Sequence, residues 1–407
     1  MGPTVSPPSR SRPRTVALVA LLGAAMATAT YLQGALSVVS SFVIDEFGLS
    51  RSQLGAAFTA FSLMGAFASP VMGALTDRNT AGVMAGLFAV SGLAVVIVSA
   101  APSFPILLAG CIVGGLALGA GNPVTNRLIA DQIGAARRGL VVGLKQAGPP
   151  LGLLLAGGLL PPLALAVGWR WALGFSALIP VAGMVATPIL LSRARQGVTA
   201  PATRMSEEKP ETRSVVVWLT VIGLGIALAL SAAIAFVPLY AQERVGTTAG
   251  TAGALAAAMG LAGVVGRILW GATAGRFARP SSALLVISAI SLVAILAVGL
   301  AQELGVWILW VGVFGVGFSM LAWHAVAWLV IIDRVGIGGV GKASGVMQLG
   351  NSFGFAVGPL IAGVLIDATD SYVVAWSTVA AVVGVSSILT VWIRFRPGPR
   401  PSVTNPD

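Results

Sequence analysis

Apolar runs long enough to cross a lipid bilayer fill almost the whole sequence. A membrane-spanning helix needs about 20 mostly apolar residues, and such runs recur here between short clusters of charged and turn-forming residues. Only 9% of the residues are charged, whereas a soluble domain carries roughly 25%. A water-soluble fold of this length would lack the polar material to cover its surface. We therefore expect an all-α integral membrane protein.

The runs predict twelve spans, and a polar stretch from Ser192 to Ser214 divides them into two groups of six. The predicted spans lie near 15–41, 52–75, 82–101, 104–131, 139–166, 170–191, 215–241, 248–274, 281–301, 304–332, 341–366 and 372–394. The predicted organisation is a tail over 1–14, a six-helix bundle over 15–191, a linker over 192–214, a second bundle over 215–394 and a tail over 395–407.

The basic residues predict the orientation of these spans. With the N-terminus in the cytoplasm, 19 of the 24 basic residues, Lys145 among them, fall on the cytoplasmic side, three fall outside and two lie within spans. Both termini and the linker are therefore expected in the cytoplasm, with the protein multi-pass in the inner (plasma) membrane. The excess of arginine over lysine, together with abundant alanine and glycine, points to a bacterial source.

The two groups of six spans resemble each other when the numbering is shifted by 202 positions. The matching pairs are Gly139 and Gly341, Gly143 and Gly345, Gln146 and Gln348, Gly148 and Gly350, Gly152 and Gly354, and Asp131 and Asp333. This pattern predicts two parallel halves related by an axis along the membrane normal.

Twelve spans, a repeat of six plus six and a charged central loop resemble the major facilitator superfamily of secondary transporters. The segment from Gly73 to Asp77 and Arg78 is similar to the start of that family's signature loop, although the basic end of the signature is replaced by Asn79-Thr-Ala-Gly82. The corresponding segment of the second half has Gly275 in place of the aspartate. The resemblance covers the whole chain and implies two bundles that rock around a midplane substrate site.

The resemblance implies a gate at the turn that contains Asp77. In the family the loop aspartate holds the outward-facing state by binding the N-terminus of the eleventh helix and nearby basic residues, and a carboxylate is favoured at a helix N-terminus. The gating residues predicted on this basis are Gly73, Asp77, Arg78, Arg127 and Arg138. The alternative for Asp77 is an ordinary solvated turn, and Arg127 also lies four residues before Asp131.

Arg267 is the most informative charge because it lies inside the eighth span, where a charge is costly and by default functional. Its placement four residues before Gly271 resembles that of an arginine in monocarboxylate and oxalate transporters of the superfamily, which binds the substrate carboxylate. The aspartate usually found four residues earlier in the monocarboxylate pattern is Gly263 here. The alternative for Arg267 is a side chain that extends to the cytoplasmic interface.

Other polar and aromatic side chains are placed to line a shared cavity. Asn122 and Asn126 lie on one face of span four, and the shift of 202 pairs them with His324 and Trp328 in span ten. Gln146, Gln348, Asn351 and Tyr31 are further candidates for substrate contact. Each could instead bond one helix to another. His324 is the one histidine of the chain and could carry a proton.

Glycines and prolines in spans five and eleven predict close packing and bending. The candidate packing and hinge residues are Gly143, Gly148, Pro149, Gly350, Gly354, Gly358 and Pro359. Static packing is the alternative to a hinge.

The sequence predicts a secondary transporter rather than an enzyme. The glycine-rich run before Lys342 nearly matches a phosphate-binding loop, but Ala343 stands where a serine or threonine must bind the metal. We expect no cofactor, no metal and no nucleic acid as partner, and a monomer in the lipid bilayer. The expected substrate is a small organic anion such as a monocarboxylate, moved by proton symport or exchange. The alternatives are drug or metabolite efflux and a membrane receptor or scaffold that does not transport.

Overall fold

The chain forms helices and no strand in the parts that the structure describes, a computed structural model covering residues 12–191, 210–273, 280–335 and 340–395. Sixteen helices are present there. They are α1 (Arg12–Val38), α2 (Ser40–Phe47), α3 (Arg51–Arg78), α4 (Thr80–Ala100), α5 (Phe104–Gln132), α6 (Ala135–Gln146), α7 (Gly148–Val167), α8 (Trp169–Phe175), α9 (Leu178–Leu191), α10 (Pro210–Glu243), α11 (Ala249–Thr273), α12 (Pro280–Gly299), α13 (Ala301–Leu304), α14 (Val306–Val335), α15 (Val340–Thr369) and α16 (Tyr372–Phe395).

Within the described residues, twelve stretches are long and apolar enough to cross a membrane, which confirms the predicted number. The predicted span 104–131 is observed as α5, and the predicted span 372–394 is observed as α16. The fifth span is α6 followed by α7, and the sixth is α8 followed by α9, whereas the other ten spans are each one helix. The predicted all-α membrane fold is confirmed. The linker predicted over 192–214 lies mostly outside the described residues.

Successive spans run in opposite directions, so the molecule has two ends. One end carries Arg51, Glu243 and Asp367 and is called the Arg51 end. The other carries Asp77 and Arg127 and is called the Asp77 end.

Small residues let helices of the first six spans pack closely on helices of the last six. Helix α3 packs along α15, and α7 packs along α11. A Cβ atom on Gly157 of α7 would meet the carbonyl oxygen of Gly253 in α11, and one on Gly260 would lie 2.5 Å from the backbone nitrogen of Leu154. The hydrophobic effect does not drive helices together in lipid, so such close approach supplies the packing energy instead.

The predicted packing glycines of span eleven lie against α10. Added Cβ atoms on Gly350, Gly354 and Gly358 would meet backbone carbonyls of α10, and one on Gly148 would meet α1. An added Cβ on Gly143 would meet no atom within 4 Å. Pro359 packs its carbonyl group against Gly55 in α3. The hinge role of these residues stays a prediction.

We expect Gly157→Ala to destabilise the protein by about 1–3 kcal/mol, because the new methyl group would force α7 away from α11. The adjacent variant Gly158→Ala is the matched control, since a Cβ there meets nothing within 4 Å. Thermal unfolding of the purified protein in detergent compares the two. A Gly157→Ala variant as stable as Gly158→Ala would contradict the close packing of this seam.

Candidate functional site

Arg267 joins the two halves of the molecule through hydrogen bonds to backbone carbonyls. It lies on α11, six residues before that helix ends at Thr273. Its Nε donates to the carbonyl oxygen of Leu321 in α14 at 2.8 Å, and an Nη atom donates to the carbonyl oxygen of Gln146 at the end of α6. The guanidinium group is therefore held inside the molecule between spans five, eight and ten.

The carbonyl of Gln146 is available to Arg267 because of a proline. In a continuous helix this carbonyl would accept the N–H of residue 150, but that residue is Pro150, which has no N–H. The fifth span is interrupted at the same place, since α6 ends at Gln146 and α7 begins at Gly148. The break in span five thus exposes an acceptor, and Arg267 satisfies it from the other half.

Lys145 is completely buried in the fifth span. Its Nζ donates to the Oδ1 of Asn126 at 2.6 Å, to the Oγ1 of Thr125 at 2.8 Å and to the Oδ1 of Asn122 at 3.2 Å. These three acceptors are neutral and all lie on α5. The ammonium group is thus hydrogen-bonded, and none of these bonds supplies a negative charge.

Gln146 connects the two cations. Its backbone carbonyl accepts from Arg267, and its side-chain Nε2 donates to the Oδ1 of Asn122 at 3.3 Å, the oxygen that also accepts from Lys145. We call Arg267, Lys145, Gln146, Asn122, Thr125 and Asn126 the cation cluster. The ion pairs of the described residues involve other arginines, namely Arg51, Arg127, Arg170 and Arg244.

His324 lies beside the cation cluster on α14. Its ring is half-buried, packs edge-to-face on Trp323 with centroids 5.4 Å apart, and interacts with the charge of Arg267 and the side chain of Asn351. Asn351 is buried on α15. The structure therefore brings together six of the predicted substrate-contact residues: Arg267, Asn122, Asn126, Gln146, His324 and Asn351.

The remaining predicted contact residues lie elsewhere. Tyr31 is buried and its hydroxyl interacts with Ser176, both within the first six spans. The side chain of Trp328 lies outside the described part of the molecule. Gln348 is exposed on α15. It lies eleven residues, about three helical turns, before Pro359, and hence on the face of α15 that packs against α3 at Pro359. The backbone of α15 thus contacts α3 at Pro359, whereas Gln348 is an exposed residue nearer the start of α15.

Lys145 is the site residue that sequence reasoning missed. Counting basic residues placed it on the cytoplasmic rim, whereas the structure buries its ammonium group among the amides of α5. A signal was present in the sequence, because Lys145 lies inside the predicted span 139–166 and immediately before Gln146. Asn122 and Asn126, four residues apart, present the matching pair of acceptors.

The predicted gating residues lie at the Asp77 end. Arg127 contacts Asp131 at 3.0 Å and Asp77 at 3.5 Å, and the side chain of Asp77 is 64% exposed. Arg138 donates to the carbonyls of Ile133 and Ala130, each at 2.9 Å, and so satisfies carbonyl groups at the end of α5. Arg78 is exposed, and an added Cβ on Gly73 would meet no atom within 4 Å. The gating role of these residues stays a prediction.

The Arg51 end is closed by polar contacts between the halves. The carboxylate of Asp367 on α15 accepts the backbone N–H groups of Arg51 at 3.0 Å and of Ser52 at 2.7 Å, which are the first two residues of α3. Arg51 also pairs with Glu243 at 2.7 Å, and the hydroxyl of Tyr372 donates to Glu243 at 2.7 Å. We call Arg51, Ser52, Glu243, Asp367 and Tyr372 the clasp. It combines a charge pair with a carboxylate at a helix N-terminus.

A second charged group at the Arg51 end lies within the first six spans. Arg170 pairs with Glu46 at 2.7 Å and stacks on Trp169, whose indole N–H also donates to Glu46 at 2.6 Å. These hydrogen bonds and the charge of Arg170 hold the pKa of the Glu46 carboxyl below its usual value. This group fixes α2 against α8 and does not bridge the two halves.

The fold and the cation cluster together define a class of protein, the secondary transporters of membranes, in which two helical bundles enclose a polar site. The chain belongs to the major facilitator superfamily, whose family model matches residues 17–336. It is a transporter and not an enzyme.

A probable sulfoacetate transporter of Cupriavidus necator, SauU, is 26% identical over 405 residues that cover 91% of each chain. A bacterial homologue of the human lysosomal transporter Spinster, solved in an inward-facing and unoccupied conformation, is 17% identical with a TM-score of 0.68, covering 94% of this chain and 96% of that one. The occupied inward-facing form is 16% identical with a TM-score of 0.71, covering 96% and 100%. At this identity the two solved structures show the shared fold.

We expect Asp367→Asn to weaken the clasp, because it removes the negative charge from the N-terminus of α3. A hydrogen bond to a charged group contributes about 1.5–3 kcal/mol, so the population open at the Arg51 end should rise on the order of tenfold. Spin labels at Asp45 in α2 and Thr369 in α15, both exposed, report the distance across this end by pulsed electron paramagnetic resonance.

Asp370→Asn is the matched control. Asp370 lies three residues further along, is 97% exposed and pairs with Arg244 of the same half, so its variant should leave the distance distribution unchanged. An unchanged distribution in Asp367→Asn as well would show that the clasp does not hold this end shut.

Proposed function

We propose that this protein moves a small organic anion across the membrane by alternating access, with Arg267 binding the anion between the two halves. The observation that carries the proposal is the guanidinium group of Arg267, which lies between spans five, eight and ten and is bonded to neutral carbonyls alone among the described contacts. An arginine presents a planar pair of donors that matches a carboxylate or sulfonate.

The backbone carbonyls of Gln146 and Leu321 occupy the donors that an anion would use. A carboxylate can accept two parallel hydrogen bonds from an arginine and adds the attraction of its charge, which a neutral carbonyl lacks. An incoming anion would therefore displace the Gln146 carbonyl from Arg267. Because Gln146 and Arg267 belong to different halves, this exchange would loosen the contact between spans five and eight and couple binding to rocking.

The relative at 26% identity supports an organic anion as the substrate, since it is a probable sulfoacetate transporter. A monocarboxylate, as the resemblance to monocarboxylate transporters implies, belongs to the same chemical class. Proton symport or anion exchange would drive the movement. His324, which lies beside Arg267, is a candidate proton carrier.

The contacts at the Arg51 end support a state that is closed on that side. The clasp joins the two halves at the Arg51 end. The distribution of basic residues puts the Asp77 end in the cytoplasm of a bacterial cell, with the protein in the inner membrane. In that orientation the clasp lies on the outer side, and breaking it would open the molecule outward.

Replacing Arg267 tests the anion site. Arg267→Gln should weaken binding of a carboxylate by about tenfold or more, because losing one partner of a charged pair costs on the order of 2–5 kcal/mol. Arg267→Lys should also bind the carboxylate poorly, because lysine lacks the planar pair of donors of the guanidinium group, although it keeps the positive charge. The measurement is titration of acetate and sulfoacetate against purified variants, with Arg244→Gln at the Arg51 end as the control arginine. Unchanged affinity in Arg267→Gln would remove the support for an organic anion and favour efflux.

Replacing Asp77 tests the gate. If Asp77 holds the Asp77 end shut in the outward-facing state, Asp77→Asn should keep substrate affinity while slowing transport into proteoliposomes by about tenfold, as expected for roughly 1.4 kcal/mol. Asp45→Asn, an exposed carboxylate at the other end, is the control. Wild-type transport rates in Asp77→Asn would show an ordinary solvated turn.

A further inference from the structure

Lys145 gives the cation cluster a second positive charge, and we propose that it is a second charged residue of the substrate site, so that the transported molecule is a small dianion with two acidic groups. This inference rests on the proposed function, because Arg267 is assigned there to the first acidic group. It adds a residue and narrows the class of substrate.

The first argument is that the described contacts of Lys145 and Arg267 include no negative charge to balance their two positive charges. Lys145 has no exposed surface, and its three hydrogen bonds go to two amide oxygens and a hydroxyl. Arg267 bonds to two backbone carbonyls. A cation within a membrane span loses its hydration, and neutral oxygens replace only part of it. Both charges would be stabilised by an anion.

The second argument is that the two cations form one unit. Asn122 accepts from Lys145 and from the side chain of Gln146, and the backbone carbonyl of Gln146 accepts from Arg267. Both cations lie toward the Asp77 end of their spans. The cluster therefore joins a cation of the first half to a cation of the second, so that one ligand could bind both halves.

The third argument is that the carboxylates of the neighbouring elements are engaged elsewhere or distant from Lys145. On α5 the nearest acidic side chain along the helix, Asp131, pairs with Arg127. The other ionisable groups near Lys145 in the described residues are Arg267 on α11, which bonds the carbonyl of Gln146, and His324 on α14, which interacts with the charge of Arg267. None of these contributes a negative charge to the contacts of Lys145. The negative charge is left for a ligand to bring.

The fourth argument concerns access. Asn126, which holds the shortest bond to Lys145, is an exposed residue, and Asn122 and Gln146 are partly exposed. An anionic oxygen is a stronger acceptor than an amide oxygen, so it can take the place of one asparagine at Lys145. A monoanion neutralises one of the two cations. A short chain with an acidic group at each end, such as a dicarboxylate, a disulfonate or a carboxylate with a sulfonate, neutralises both.

The test compares malonate with acetate as a matched dianion and monoanion, titrated calorimetrically against the purified full-length protein. Wild type should bind malonate at least about tenfold more tightly than acetate, since a second charged pair is formed. Lys145→Met keeps an unbranched side chain and removes the charge. It should bind malonate no more tightly than acetate, with the affinity for acetate within about threefold of wild type. Lys145→Arg should keep the preference for malonate, and Arg244→Gln, the control cation, should keep wild-type values for both.

Each outcome bears on the proposal. If Lys145→Met, folded by thermal unfolding and gel filtration, lowers the affinities for both anions equally or changes neither, Lys145 is a structural residue and the proposal is overturned. Equal affinity of wild type for acetate and malonate also overturns it and leaves the proposed function intact. Unchanged affinities for acetate and malonate in Arg267→Gln overturn the proposed function instead. Loss of the malonate preference in Lys145→Met with retention in Lys145→Arg supports the dianion.

Discussion

The lipid bilayer offers no hydrogen bonds, and this constraint underlies both the fold and the site. Every backbone N–H and C=O within the membrane must find a partner inside the protein, which is why the spans are helical. A proline within a span leaves a carbonyl without its helical partner. At Pro150 the freed carbonyl belongs to Gln146, and the guanidinium of Arg267 satisfies it from another helix. The hydrogen bond that Pro150 cannot donate within its own helix is thereby replaced by a contact between the two halves.

The interface between the halves combines two kinds of contact that serve different purposes. Glycines let the backbone of α7 contact that of α11, and the backbone of α3 contact that of α15. Such packing depends on the shapes of the helix surfaces and not on charge. The clasp is local and electrostatic, because Asp367 binds a helix N-terminus and Arg51 binds Glu243. A rocking transporter needs seams along which helices can separate and a polar lock that a modest free energy can open. Both are present at the Arg51 end.

The cation cluster is a group of polar and charged side chains inside an apolar protein. Among the described contacts, Lys145 and Arg267 are each held by neutral oxygens, so the cluster is hydrogen-bonded without an acidic partner. As the proposed anion site, the cluster would discriminate by charge, because an anion would gain two partners while a cation would be repelled. The cluster lies at the break in span five, where α6 ends at Gln146 and α7 begins at Gly148.

The amino-acid sequence by itself determined the membrane fold and the twelve spans, and it identified Arg267 as a charge within a span. These follow from local properties, since the length of an apolar run and the cost of a charge within it need no knowledge of neighbouring helices. The tertiary structure decided which side chains meet. The count of basic residues assigned Lys145 to the cytoplasmic side. The structure shows that it is buried and that helix α5 supplies its three acceptors. The structure also shows that the hydroxyl of Tyr31 interacts with Ser176, a contact that the sequence does not reveal. The direction of a side chain depends on the rotation of its helix about its own axis, and that rotation is set by packing between spans far apart in the sequence.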